Sequence, residues 1–221
     1  YNPFCKHCAR GAAQRKSRFK GTLALGPKPE KFGEQTTGDH WISRNAETGE
    51  FEPDEDDGQF PGAKNAVVMF DRGTEDLEIY PVATKSKEDT VEAFQSWAGP
   101  GDKVDSFYAD NAPELKAAAK EVKWRMPTAT PGCPKTNGLI ERMVCKGKTG
   151  ARVCRSQSGL SKPWWPYGAR HYTFARRTKL ADGDSIYNKR HKQGHCKGKI
   201  VANIFFYRVS HSLKDVDQRA N

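Results

Sequence analysis

The sequence predicts an α/β fold in which a mixed five-stranded sheet is covered by helices. Three observations point there. Residues 66–71, Ala-Val-Val-Met-Phe before Asp71, are apolar enough for a strand buried on both faces. Strand-like and helix-like segments follow in the order β-β-β-α-β-α-β-α, which folds as a sheet with helices laid over it. Clusters of Gly, Pro, Asn and Asp separate these segments and supply the turns between them.

The first strand is expected at residues 36–43 and the second at 66–71. Asp71-Arg72-Gly73-Thr74 carries turn chemistry, so residues 77–82 return as the second arm of a hairpin. Ser86 is placed to cap a helix with Val91, Phe94 and Trp97 on one face, stopped by Gly99-Pro100-Gly101. The fourth strand, residues 104–109, ends at Asp110. Pro113 suits the first turn of an Ala-rich helix running through Leu115 to Val122. Residues 124–128 supply the fifth strand, and Pro131-Gly132-Cys133-Pro134 forces a loop. Thr136 or Asn137 then caps a helix that carries Glu141 towards Gly150.

The chain has 221 residues, 29% charged and 36% hydrophobic, enough for one domain with appendages. It contains no apolar run approaching the roughly eighteen residues of a membrane span. It begins at Tyr1 without the ordered pattern of a signal peptide and reads as a segment of a longer polypeptide. Six cysteines are scattered along a chain too large to need disulfide staples, which fits a reducing, intracellular home. A net charge of +10 puts a polyanion among the expected partners, because clustered Lys and Arg release counterions from nucleic acid. The charge is unevenly spread. Residues 47–57 form an acidic run, a solvated loop or, alternatively, an acid-based metal site, whereas residues 142–208 hold many cations and only Asp182 and Asp184 as acids.

Two-metal phosphoryl transfer needs hard oxygen ligands on two divalent ions roughly 3.5 to 4 Å apart. Asp39 within the first strand, Asp110 at the end of the fourth and Glu141 early in a helix can supply three carboxylates on rigid elements. A sheet that sets those two strands side by side lets the helix lay Glu141 across their ends. In a chain with 27 acids, spacing alone does not single out this trio.

The flanking residues do more. Tyr108-Ala109-Asp110-Asn111-Ala112-Pro113-Glu114-Leu115, followed by residues 130–142 (Thr-Pro-Gly-Cys-Pro-Lys-Thr-Asn-Gly-Leu-Ile-Glu-Arg), resembles the integrase core of retrotransposons, most closely the copia type. Gly38-Asp39-His40-Trp41 is similar to the first-aspartate segment of that family, and Ser158-Gly159-Leu160 with residues 164–169 resembles the helix after its glutamate. The resemblance covers roughly residues 32–180. It implies an RNase H-like catalytic core of the retroviral integrase superfamily, flanked by a zinc-region remnant at residues 1–31 and a basic, truncated C-terminal extension at 181–221.

It also implies Mg²⁺- or Mn²⁺-dependent trimming of a DNA end, then attack of the freed 3′ hydroxyl on target DNA, with Asp39, Asp110 and Glu141 as catalytic metal ligands. Element ends and target DNA are the implied partners, with a homo-oligomer and no membrane, in a nucleus or a cytoplasmic virus-like particle. A non-catalytic nucleic-acid-binding relic and a related RNase H-like nuclease or transposase stand as alternatives. The relic is suggested by the thirty residues between Asp110 and Glu141, an interval shorter than is usual in the family. Cys145 also replaces an Arg frequent there.

Cys5-Lys6-His7-Cys8 is similar to the trailing half of an integrase zinc region, but a tetrahedral site needs four ligands, so Cys5 and Cys8 make an incomplete Zn²⁺ site. Lys148 lies two turns beyond Glu141 on nearly the same helix face and can meet a DNA phosphate or stand as a solvated flank. Lys135, Asn137 and Arg142 complete the expected DNA-binding set. Trp164, Trp165 and Tyr167 read as packing in preference to base stacking. Glu114 reads as a first-turn acid favoured by the helix dipole, outside the catalytic set. Residues 200–209 form a further strand candidate that needs a partner.

Overall fold

The computed structural model describes residues 27–43, 60, 62–127 and 138–194. The chain divides into two compact units, residues 19–146 and residues 1–18 with 147–221. In the first unit, β1 (Thr36–Ile42), β2 (Asn65–Asp71), β3 (Leu77–Val82) and β4 (Phe107–Tyr108) form one sheet in the order β3-β2-β1-β4. The first three strands are antiparallel neighbours, and β4 joins β1 in parallel, so the sheet is mixed. All seven residues of β2 are buried, as expected of a strand covered on both faces.

Helix α1 (Lys87–Ala98) starts where Ser86 accepts the Asp89 amide, 3.1 Å, and stops at Gly99, whose φ of 62° suits a residue without a side chain. It buries Val91, Phe94 and Trp97 on one side. Helix α2 (Pro113–Glu121) has Pro in its first turn and buries Leu115, Ala118 and Ala119. With Val67, Met69, Val104 and Phe107 these side chains form one core. Its centre is aromatic. The Phe94 ring stacks on Trp124 at 4.7 Å and meets Phe107 edge-on at 4.8 Å.

The sheet has four strands among the described residues where five were expected. Residues 124–127 run beside β4, and the Phe107 amide donates to the Arg125 carbonyl at 2.9 Å, but no ladder forms there. Lys123 takes a left-handed φ of 59° just before this stretch, and Pro127 has no N–H to donate, so regular pairing is interrupted at both ends. Residue 128 lies outside the described residues. The strand expected at 104–109 is short for a related reason. The Asp105 amide donates to the Gly33 carbonyl at 2.9 Å, so this backbone is taken up by a loop contact before the strand begins.

A buried carboxylate pins the hairpin to that loop. Asp71 is fully buried, and its oxygens accept the Gly33 amide at 3.0 Å and the Thr74 amide and hydroxyl at 2.7 and 2.8 Å. Gly33 must be glycine here. Its φ is 83°, and a Cβ would collide with the Lys103 carbonyl oxygen.

Helix α3 (Gly138–Ser158) carries Glu141 near its start and continues well past Gly150, the expected stop. Within the second unit Gly150 is a packing position, since a Cβ would strike the Tyr172 ring. The helix ends at Gly159, with φ 76° and the Leu160 amide donating to the Arg155 carbonyl at 3.1 Å. A 3₁₀ turn (Lys162–Trp164) leads into α4 (Trp165–Thr178), where a Cβ on Gly168 would lie 2.8 Å from the Ala151 carbonyl. The two glycines thus let α3 and α4 approach closely. Trp165 is 2% exposed, and Trp164 packs on Tyr167 with ring centres 5.5 Å apart, so this aromatic group is packing. The hairpin β5 (Leu180–Ala181) and β6 (Asp184–Ser185) then precedes α5 (Ile186–His191), capped by Ser185. The Cys5–Cys8 segment, the acidic run at 47–57 and the strand candidate at 200–209 lie outside the described residues.

Replacing Asp71 with Ala leaves three buried donors without an acceptor. At roughly 1 kcal/mol or more for each orphaned group, the expected loss is about 3 kcal/mol of unfolding free energy. Urea denaturation measures it, and a loss under about 1 kcal/mol would mean that the loop finds other partners.

Candidate functional site: a carboxylate pair at the β1–β4 seam

Two parallel pairs, Thr36 with Phe107 and Thr37 with Tyr108, fix the register of β1 against β4. The Thr36 amide donates to the Ser106 carbonyl at 2.9 Å and anchors the start of that seam. Counting two residues onward from Thr37 and Tyr108 brings Asp39 level with Asp110. Adjacent strands lie about 4.8 Å apart, so the register brings two carboxylate-bearing positions to one level of the sheet. Between them and the core, Gly38 leaves no room for a side chain. A Cβ there would lie 2.8 Å from the Phe107 ring and 2.9 Å from the Met69 sulfur.

Each aspartate is held locally. Asp39 accepts the His40 amide at 2.7 Å, and Asp110 accepts the Ala112 amide at 3.1 Å, a turn that sets Pro113 at the first position of α2. Asp39 is half-buried, and its pKa is raised from 3.8 to about 6. Burial is the main cause, opposed by the His40 amide. The charge of Asp110 raises it further, Lys85 lowers it, and Glu141 adds a smaller upward push. Asp39 therefore lies within the field of both other acids, with Asp110 acting more strongly than Glu141.

Glu141 is exposed on α3. Among the described residues no group of three or more His, Cys, Asp or Glu side chains is disposed to hold a metal ion. The donor chemistry itself suits a hard divalent cation, being carboxylate oxygen whose negative charge Lys85 offsets only in part. Of the expected DNA-binding residues, Arg142 is exposed and Lys148 half-buried on α3, while Lys135 and Asn137 lie outside the described residues, as does the end of the loop leading into α3.

A second arrangement beside Asp39 was not read from the sequence as a site. Glu114 Oε1 lies 3.3 Å from Lys85 Nζ and 3.8 Å from His40 Nδ1. The His40 side chain is 2% exposed, and its Nε2 lies 3.3 Å from the Thr90 hydroxyl. Burial first, and Lys85 second, push its pKa from 6.5 down to about 4, so the ring is neutral at physiological pH and forms no ion pair with Glu114. For Glu114, burial pushes the pKa up, but backbone and Lys85 hydrogen bonds with the Lys85 charge outweigh it, and the carboxylate stays ionised below its usual range. The sequence signal for this group was weak, because Lys85 precedes α1 and Glu114 opens α2, far apart in the chain.

The raised pKa of Asp39 has a definite sign. The folded state holds the Asp39 proton more tightly than the unfolded chain, so this group's contribution is fully present below 3.8 and is lost as pH rises through about 6. The span from 3.8 to about 6 corresponds to at most about 3 kcal/mol. Asp39→Asn should therefore stabilise the metal-free protein at pH 7.5 and confer much less advantage at pH 4. Urea titrations with a chelator at both pH values test this, and an equal gain at each would contradict the coupling.

No protein-family model matches the chain, and no curated protein matches it in sequence. Solved structures do match. The HTLV-2 integrase catalytic core domain, determined in complex with magnesium in a trimeric form, superposes with a TM-score of 0.53 at 13% identity, covering 74% of this chain and all of that one. The simian T-cell lymphotropic virus intasome, determined in complex with PP2A regulatory subunit B56 gamma, superposes with a TM-score of 0.55 at 14% identity, covering 85% of this chain and 63% of that one. The chain has the mixed α/β, RNase H-like fold of an integrase catalytic core.

Proposed function

We propose that the chain is the integrase core of a copia-type retrotransposon polyprotein, a polynucleotidyl transferase acting on DNA ends with Mg²⁺ or Mn²⁺. The observation that carries this reading is the parallel β1–β4 pairing, which ends two residues before Asp39 on one strand and two before Asp110 on the other. The charge of Asp110 and, more weakly, of Glu141 felt at Asp39 supports the same set. The magnesium bound by the HTLV-2 core domain is in keeping with a divalent-ion requirement.

In this reading Asp39 and Asp110, with Glu141 from α3, hold the divalent ions. When bound, those ions would activate the attacking oxygen and stabilise the leaving one. Trimming is attack by water oxygen on a phosphodiester near the element end, releasing a short 5′-phosphorylated fragment and a free 3′ hydroxyl. Joining is attack by that hydroxyl on a target phosphodiester, displacing the target's 3′ oxygen. No bond to the protein forms. His40, neutral and buried, donates its backbone amide to Asp39 and keeps that carboxylate oriented. Negative charge at the seam, and not a nucleophilic side chain, is what the protein contributes.

Element ends and target DNA are the proposed substrates, a homo-oligomer the working form, and the nucleus or a cytoplasmic virus-like particle the setting. Zn²⁺ is assigned to the intact parent, through Cys5 and Cys8 with ligands from elsewhere. Among the described residues no helix is long and apolar enough to cross a membrane. A second reading, a DNA-binding relic without turnover, draws on one observation: the described acids do not include a three-ligand group disposed to hold a metal ion.

Strand transfer on a labelled oligonucleotide duplex separates the two. With Mg²⁺ or Mn²⁺ the wild-type chain should join 3′ ends, and Asp39→Asn, Asp110→Asn and Glu141→Gln should each lower joining at least about a hundredfold, while Asp105→Asn has little effect. Duplex affinity should survive all four changes and fall steeply with salt, since it rests on Lys and Arg. Salt-sensitive binding without joining by the wild type would favour the relic. Full joining by any triad variant would remove that residue from the site.

A further inference from the structure

Lys85 stands in the turn between β3 and α1, and that turn is built with unusual rigidity. The Thr84 amide and hydroxyl both donate to Asp89 Oδ2, at 2.8 and 2.7 Å. The Ser86 amide donates to the Thr84 hydroxyl at 3.1 Å, and the Ser86 hydroxyl accepts the Asp89 amide at 3.1 Å. Asn65 reaches across from β2 to donate its side-chain amide to the Ala83 carbonyl at 3.1 Å. These bonds fix the backbone on both sides of Lys85 without using its ammonium.

The ammonium instead turns towards the carboxylate site. Glu114 Oε1, in the first turn of the helix that Asp110 opens, holds Nζ at 3.3 Å, and the charge of Lys85 is felt at Asp39. The side chain remains 39% exposed. An ammonium has three donors, and a single Glu114 oxygen at this distance engages one of them. A cation anchored on Glu114 with its charge felt at Asp39, and with solvent access left to it, is arranged to receive an anionic oxygen that comes to that aspartate.

We propose that Lys85 contacts a backbone phosphate of the DNA strand engaged at the Asp39–Asp110 seam, with Glu114 positioning its ammonium. The inference rests on the integrase reading of that seam. A purely structural ion pair would leave DNA untouched, and the nearby Lys87, joined to Glu121 at 2.8 Å and 43% exposed, supplies the matched control.

The experiment measures duplex affinity of the full chain against salt, using a labelled oligonucleotide duplex, for wild type, Lys85→Ala, Lys85→Arg and Lys87→Ala. Each phosphate contact contributes about 0.9 to the slope of log K against log salt. Lys85→Ala should reduce that slope by about 1, Lys85→Arg should restore it, and Lys87→Ala should leave it as in wild type. Glu114→Gln, which releases the ammonium from the carboxylate that positions it, should reduce the slope in the same direction as Lys85→Ala but by less. In strand transfer, Lys85→Ala should raise the DNA concentration needed for half-maximal rate more than it lowers the maximal rate. A Lys85→Ala slope equal to wild type, or one matched by Lys87→Ala, overturns the assignment while leaving the seam's function intact. A wild-type chain with no salt-dependent duplex affinity overturns both.

Discussion

The parallel pairing of β1 with β4 is the constraint on which the site depends. The paired stretch is only two residues long in β4, yet it decides which acids share a level. A slip of one residue would turn Asp110 to the opposite face from Asp39, because side chains alternate along a strand. Little backbone hydrogen bonding protects so short a seam. Packing does the rest: Phe107 lies beneath Gly38 and against Phe94 and Trp124, so shifting β4 would drive a fully buried ring into its neighbours. The core thus sets the register, and the register sets the acids.

Much of this was legible in the residues. The apolar run ending at Asp71, the turn after it, the Ser86 cap and Pro113 at a helix start are local signals, and local signals name local structure. The elements that departed from expectation are those governed by distant partners. Residues 104–106 are claimed by Gly33, far away in sequence, and Gly150 acts as a contact for Tyr172, where its composition alone suggested a helix end. For the candidate site, flanking motifs singled out Asp39, Asp110 and Glu141 as the expected acids, whereas the Lys85–Glu114–His40 group had no motif, since its members come from three elements joined by the tertiary fold. Glu114 shows the limit well. A first-turn acid is explained locally by the helix dipole, and that explanation hides its second partner.

Charges of both signs act on Asp39. On one side Asp110 and Glu141 raise the cost of ionising Asp39, and on the other Lys85 lowers it. His40 contributes none of that relief, because burial and the same lysine keep its ring neutral. A residue that would otherwise be the natural counter-ion for Glu114 and Asp110 is therefore unavailable to them. The net result is a partly desolvated acid with more negative than positive neighbours, which a divalent cation or its bound substrate would relieve.

Asp39 and Asp71 are two buried acids held in different ways. Both are acids whose pKa burial raises, and both stand on the same sheet, one in β1 and the other at the end of β2. Asp71 receives three hydrogen bonds, two of them from the turn it closes and one from the Gly33 loop, so each donor would be orphaned without it. Asp39 receives the amide of its own neighbour at 2.7 Å and faces the field of two further acids. An acid kept for stability is surrounded by donors that need it. Asp39 instead combines a raised pKa, two acids in its field and an amide from the next residue along the chain, the arrangement that the proposed metal-binding role calls for.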